Sequence, residues 1–146
     1  AHRIKGLGPN SWGMSACISP TTGYSGQYGS HPIGHGHPLL EDGTVAPYGA
    51  LSFLPFTPKE SIDALEYMYR IPGLVGKYGL YDAYSYQTKA KGDQPWIAES
   101  YLGIDKGLVL LMFENYSTQL IWKLLHQNNH IRKGFEVLLF ERKPDR

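Results

Sequence analysis

GIDKGLVLLMFENYSTQLIWKLL, residues Gly103 to Leu125, is apolar around most of its circumference when coiled as a helix, yet it holds Glu114 and Asn115 near its middle. A helix apolar on every side belongs inside a larger protein or a membrane. Lys106, Glu114, Asn115, Ser117, Thr118 and Gln119 interrupt the stretch, which leaves it short of the ~18 unbroken apolar residues of a membrane span. It reads as an inner helix of a soluble all-α protein. Asp105 serves as its cap, and the helix runs to His126 or Gln127. A carboxylate inside such a helix needs a partner or a wet cavity, so Glu114 is either a buried anchor or a wall residue of a site.

Working outward, the pattern predicts few other helices. Thr44 is a good N-cap, and Val45 to Phe53 reads as a short apolar helix with Pro47 in its first turn. Thr57-Pro58-Lys59-Glu60 has the form of a capping box. It opens an amphipathic outer helix that presents Ile62, Leu65, Met68 and Tyr69 on one face and ends before Pro72. Residues 1–43 and 71–104 show no helical or strand period and read as two long loops. Asn128 to His130 breaks the inner helix, and a short helix over Ile131 to Gly134 follows. An inner helix buried all round needs neighbours all round, and these companions are too few. The pattern therefore predicts an all-α segment of a larger helical toroid, with residues 1–146 as one piece of a single domain.

Composition excludes several classes of function. The 146 residues carry a net charge of +1 and only 18% charged side chains, without a Lys/Arg block, so nothing points to nucleic acid. Eleven tyrosines and 17 glycines suit either a loop-rich fold or surfaces that stack on flat polar ligands such as sugars. Cys17, the one cysteine, sits in an apolar context and reads as a small buried side chain. The chain starts at Ala1 with no leader-like segment, which is expected if a leader has been removed or if a longer protein precedes it. His31, His35 and His37 form an H-x3-H-x-H cluster. Only Glu41 or Asp42 stands near enough in sequence to complete a tetrahedral set, so no metal is expected and the cluster reads as a solvent-exposed loop. GLGPNSWG does not follow a strand pattern and is not a dinucleotide motif.

Several motifs resemble the C-terminal portion of the glucoamylase-like glycoside hydrolases. These are bacterial (α/α)6-barrel enzymes that include endo-β-1,2-glucanases and the hydrolase-like domain of cyclic β-1,2-glucan synthases. The matching residues are Trp12-Gly13-Met14-Ser15-Ala16, Asp42 to Tyr48, Leu54 to Pro58, Tyr78 to Ala83, Gly103-Ile104-Asp105, and Glu114-Asn115-Tyr116 with Ile121-Trp122-Lys123-Leu124 after it. Lys106 stands where the family usually shows Gln, and Ser117-Thr118-Gln119 where it shows Arg-Thr-Gly. The resemblance implies hydrolysis of a β-linked glucan without a cofactor, in a periplasmic or secreted setting. It also implies a general acid on an upstream Asn-Glu helix that nothing in this chain matches. The N-terminal remainder of the same barrel is therefore an expected partner, beside the glucan.

Glycoside hydrolysis needs two carboxylates flanking the scissile bond. Asp42 precedes a helix start and reads either as a turn or cap residue or as a catalytic carboxylate. Glu114 is the second catalytic candidate, since burial would raise its pKa. Asp82 lies in the aromatic run Tyr78 to Tyr84, where neighbouring rings could stack on a pyranose. Trp12, Tyr48, Tyr81, Asp82 and Asp105 are the expected substrate-binding residues. A non-catalytic carbohydrate-binding or assembly module is the alternative function.

Overall fold

The computed structural model describes residues 6–26 and 43–138. In chain order it contains strands β1 (Cys17–Ser19), β2 (Gly23–Ser25) and β3 (Thr44–Val45), helices α1 (Pro47–Leu51) and α2 (Pro58–Tyr69), strands β4 (Val75–Gly76), β5 (Gly79–Leu80), β6 (Ala83–Ser85) and β7 (Trp96–Ala98), and helices α3 (Gly103–Thr118), α4 (Leu120–Gln127) and α5 (Asn129–Val137). The expectation of an all-α toroid segment is therefore corrected. Among the described residues the fold is mixed, with 44% helix, 19% strand and three small antiparallel sheets. The cause is strand length. Strands of two or three residues are too short to display the period-2 alternation by which a strand is recognised, so the segments read as loops contain every described strand except β3, which falls where a helix start was expected.

The sheet β3–β6–β7 is the fixed frame. Val45 pairs with Tyr84, and Ala83 with Ala98. Thr44 pairs with Ser85, so it belongs to a strand and does not cap a helix. Helix α1 starts only at Pro47, whose fixed φ suits a first turn. Tyr84 is fully buried, with its hydroxyl 2.7 Å from Ser11 Oγ. Cys17 is buried as its context implies. Around the sheet, Val45, Ala50, Leu51, Ala64, Met68, Ile71, Leu74 and Leu80 form one core with Tyr84.

Helix α2 begins where its sequence indicated, at Pro58, but the capping box is not made. Thr57 lacks a side-chain cap bond and instead lies 3.3 Å from Ser61 Oγ. Its buried face is also not the large apolar one. Ser61, Ala64 and Met68 face inward while Ile62 and Tyr69 are exposed. Small residues let α2 approach α1, and Ser61 Oγ donates to the Ala50 carbonyl at 3.0 Å.

Helix α3 is inside out. Its fully buried residues are Asp105 and Asn115, while Ile104, Leu108, Leu110 and Leu111 are exposed. Ser117 and Thr118 donate to the carbonyls of Phe113 and Glu114, which weakens the helical ladder. The expected continuous rod then breaks at Gln119, where φ is 60°. Asn115 Oδ1 accepts from Trp122 N at 3.2 Å and so caps α4 across the break. Helix α5 is longer than expected and is capped by Asn128, which accepts from His130 N and Ile131 N.

Gly13 seats the N-terminal segment on α1. Its φ is +141°, its carbonyl accepts from Ala46 N at 3.0 Å, and a Cβ there would lie 2.3 Å from the Ala46 carbonyl oxygen. Gly13→Ala is expected to lower stability by about 1–3 kcal/mol. In urea unfolding the midpoint should fall with an unchanged slope, and an unchanged midpoint would contradict this packing.

Candidate functional site

Two carboxyl groups meet where α3 crosses the end of β6. Asp82 precedes β6, and its backbone N donates to the Ser100 carbonyl at 3.1 Å. Asp82 Oδ2 accepts from Ile18 N at 2.6 Å, which ties β1 to the frame. Asp105 lies in the first turn of α3, where the N-cap is Leu102. Its side chain therefore does not cap the helix as expected, but turns inward to Asp82. Both residues are 4% exposed. Asp82 Oδ1 and Asp105 Oδ2 meet no donor among the described residues, and the nearness of the Asp82 carboxyl raises the pKa of Asp105. A proton on Asp105 would supply a donor between them, because only a protonated carboxyl can donate.

The electrostatics favour that proton. Burial, then the hydrogen bond and charge of Asp82, push the Asp105 pKa up to about 7, against the opposing pull of Lys106 and Tyr48. Lys106 donates its Nζ to the Leu80 carbonyl and lies 5.5 Å from the centre of the Tyr101 ring. Burial lowers its pKa, while Asp82 and Asp105 oppose that shift. The Tyr48 hydroxyl lies 2.7 Å from the Ala16 carbonyl and 2.6 Å from Ser15 Oγ. The phenol has one proton, which can go to Ala16, to Ser15 or to Asp105. Burial is the main cause that raises the Tyr48 pKa to about 12.

These groups border a cavity of about 320 Å³, lined by Tyr48, Tyr81, Asp82, Asp105 and Lys106 with an apolar wall that includes Val109 and Phe113. The volume is at the low end of the roughly 300–1,000 Å³ of small-molecule pockets. An apolar wall with a few convergent polar groups is the usual composition of such a site.

Four of the expected site residues, Tyr48, Tyr81, Asp82 and Asp105, are thus brought together. Trp12 is not among them, and packs against the main core. Asp42 and the histidines His31, His35 and His37 lie outside the described residues. Glu114 is nine residues on from Asp105, two and a half helical turns, which places it on the opposite side of α3. Its carboxylate accepts from Thr118 Oγ1 at 2.6 Å within its own helix. Sequence reasoning passed over Tyr101 and the Ile18 amide. A backbone amide carries no sequence signal, and Tyr101 is one of 11 tyrosines. Among the described residues no group of three or more His, Cys, Asp and Glu side chains could hold a metal ion, and no helix is long and apolar enough to cross a membrane.

Comparisons with other proteins agree with one another. Residues 1–129 match the sequence model of a family described as "Putative glucoamylase". One relative is an exo β-1,2-glucooligosaccharide sophorohydrolase (non-reducing end) from Parabacteroides distasonis, 32% identical over 136 residues, which cover 91% of this chain and 17% of that protein. Among solved structures, the endo-β-1,2-glucanase of Chitinophaga pinensis, in complex with sophorotriose and glucose, superposes with a TM-score of 0.70 at 35% identity, covering 92% of this chain and 29% of that one. A β-1,2-glucanase from Parabacteroides distasonis gives 0.69 at 32% identity, covering 91% and 17%. The chain spans less than a third of the length of these relatives.

The raised pKa of Asp105 has a consequence for stability. A carboxyl whose folded pKa is raised contributes stability that is complete below its unfolded value, near about 4, and is lost as pH rises through the folded value. With Asp105 at about 7, the loss falls between pH ~4 and ~7. Asp105→Asn keeps a neutral group, so its Tm relative to wild type is expected to rise across that window. Parallel Tm curves for the two proteins would contradict the raised pKa.

Proposed function

The chain belongs to the glucoamylase-like family of glycoside hydrolases, and on that premise we propose that it forms part of an enzyme hydrolysing a β-linked glucan, β-1,2-glucan or a related oligosaccharide. The observation that carries the reading is the buried Asp82–Asp105 pair at the wall of a cavity. The names of the β-1,2-glucan-active relatives support the substrate class.

The pair acts as one unit. Asp82 and Asp105 stand together at one point of the cavity wall, so the pair supplies one of the two carboxyl functions of the reaction. With its proton lost, the unit is a general base. It takes a proton from water as the water oxygen bonds to the anomeric carbon, while an acid elsewhere protonates the departing glycosidic oxygen. That acid belongs, in this proposal, to a part of the protein upstream of the chain, or to Asp42 outside the described residues. Tyr48, Tyr81 and Lys106 bind the sugar.

The inside-out helix supports the presence of further polypeptide. Ile104 is 76% and Leu110 70% exposed, and covering such side chains stabilises by roughly 1.5–3 kcal/mol each. The N-terminal remainder of the same protein is the proposed cover, in keeping with the short span of this chain within its relatives. A periplasmic or secreted location is carried over from the family resemblance as part of the same proposal. A non-catalytic carbohydrate-binding or assembly role is the second reading. It is favoured by one observation, that among the described residues the carboxylates lining the cavity are those of the pair alone.

Rates measured on a panel of β-glucans with the intact protein test the proposal. β-1,2-glucan is expected to be hydrolysed, at a rate that climbs with pH through about 7. Asp105→Asn should lower kcat about 10²-fold or more and remove that climb. A variant that keeps the wild-type rate would make the pair structural, and binding without turnover by the wild type would favour the second reading.

A further inference from the structure

Three tyrosines lead from the cavity to the surface. Tyr81 lines the cavity, and its ring lies 5.0 Å from that of Tyr101, tilted by 33°. Tyr101 in turn meets Tyr78 edge to face, with centroids 5.3 Å apart and planes at 79°. Tyr78 is at the tip of the β4–β5 hairpin and is 65% exposed.

The hairpin is built to hold that ring still. Gly76 pairs with Gly79, leaving Lys77 and Tyr78 as the turn. Neither turn residue has a positive φ, and Gly79 takes the left-handed conformation at +87°. This is the pattern of a turn closed by a glycine bulge. A Cβ on Gly76 would lie 2.2 Å from the Tyr101 hydroxyl and 2.5 Å from the Tyr81 ring, so only glycine lets both rings lie on the strand. The Tyr101 hydroxyl accepts from Tyr78 N at 3.2 Å, which clamps the tip from below. Lys77 Nζ sits 5.1 Å from the centre of the Tyr78 ring, an exposed and weak cation–π contact. An aromatic side chain held rigidly in water suits a ligand with one flat apolar face and a polar rim. A pyranose has that form. Its C–H face fits the ring, and Lys77 can leave the ring to bond the rim hydroxyls.

We propose that Tyr78 is a stacking platform for a glucosyl residue lying outside the cavity, next in line to the one bound against Tyr81. The inference rests on the glycoside hydrolase reading and adds to it. A cavity of about 320 Å³ leaves no room for a long oligosaccharide, and the exposed ring extends the site along the chain of sugars. The structure thereby assigns a preference for longer substrates to one residue of the hairpin.

Kinetics of the intact protein on a series of β-1,2-linked gluco-oligosaccharides of increasing length test this. Tyr78→Ala is expected to raise KM about fivefold to tenfold for the longer members, leaving kcat and the KM of the shortest substrate unchanged. Tyr78→Trp should restore the preference for length. A Tyr78→Ala effect that is absent, or equal at every length, overturns the inference and leaves the hydrolase reading standing. Wild-type protein that turns over no β-glucan of any length removes both.

Discussion

The buried meeting of the Asp82 and Asp105 carboxyls is the constraint on which the arrangement depends. Asp82 carries the β1 amide on one oxygen and faces Asp105 with the other. Asp105 brings the first turn of α3 to the same point. Without a proton, two buried carboxylates would repel, and each would lack a donor for a desolvated oxygen, a penalty of several kcal/mol per ion. With it, the N-terminal hairpin, the three-stranded sheet and α3 are joined at one place. The same proton gives the cavity a titratable group near neutrality. A structural tie and a chemical resource are therefore one feature.

That tie explains why α3 can turn its polar residues inward. A helix ordinarily buries its apolar stripe, and α3 buries Asp105 and Asn115. Each has a defined partner. Asp105 meets Asp82, and Asn115 caps α4 through Trp122 N. Val109 and Phe113 share that side and complete the cavity wall. Leu108, Leu110 and Leu111 are left on the exposed side of the helix.

Particular residues show what the sequence could and could not reveal. The start of α2 at Pro58 and the apolar character of 103–125 were legible because both extend over many residues. The strands were not, since Thr44–Val45 or Gly79–Leu80 is too short to carry a period. The sequence points to Asp82, Tyr81, Asp105 and Tyr48 as site residues, all four within blocks that resemble a family. Their meeting at one cavity depends on the antiparallel pairing of β6 with β3 and β7, which no local pattern encodes. The same limit applies to Asp105. A carboxylate at a helix start reads as a cap, and only the tertiary fold turns it toward Asp82. Glu114 was marked by its position in an apolar helix, and counting turns from Asp105 places it on the other side.

The raised pKa of Asp105 implies a carboxyl that keeps its proton up to near-neutral pH. Infrared difference spectroscopy of wild type against Asp105→Asn, followed through a pH titration, tests it most directly. A protonated carboxyl C=O stretch is expected in the wild type, disappearing with a midpoint near pH 7, and is expected to be absent from the variant. A wild-type band lost near pH 4, the ordinary range of an aspartate, would contradict it.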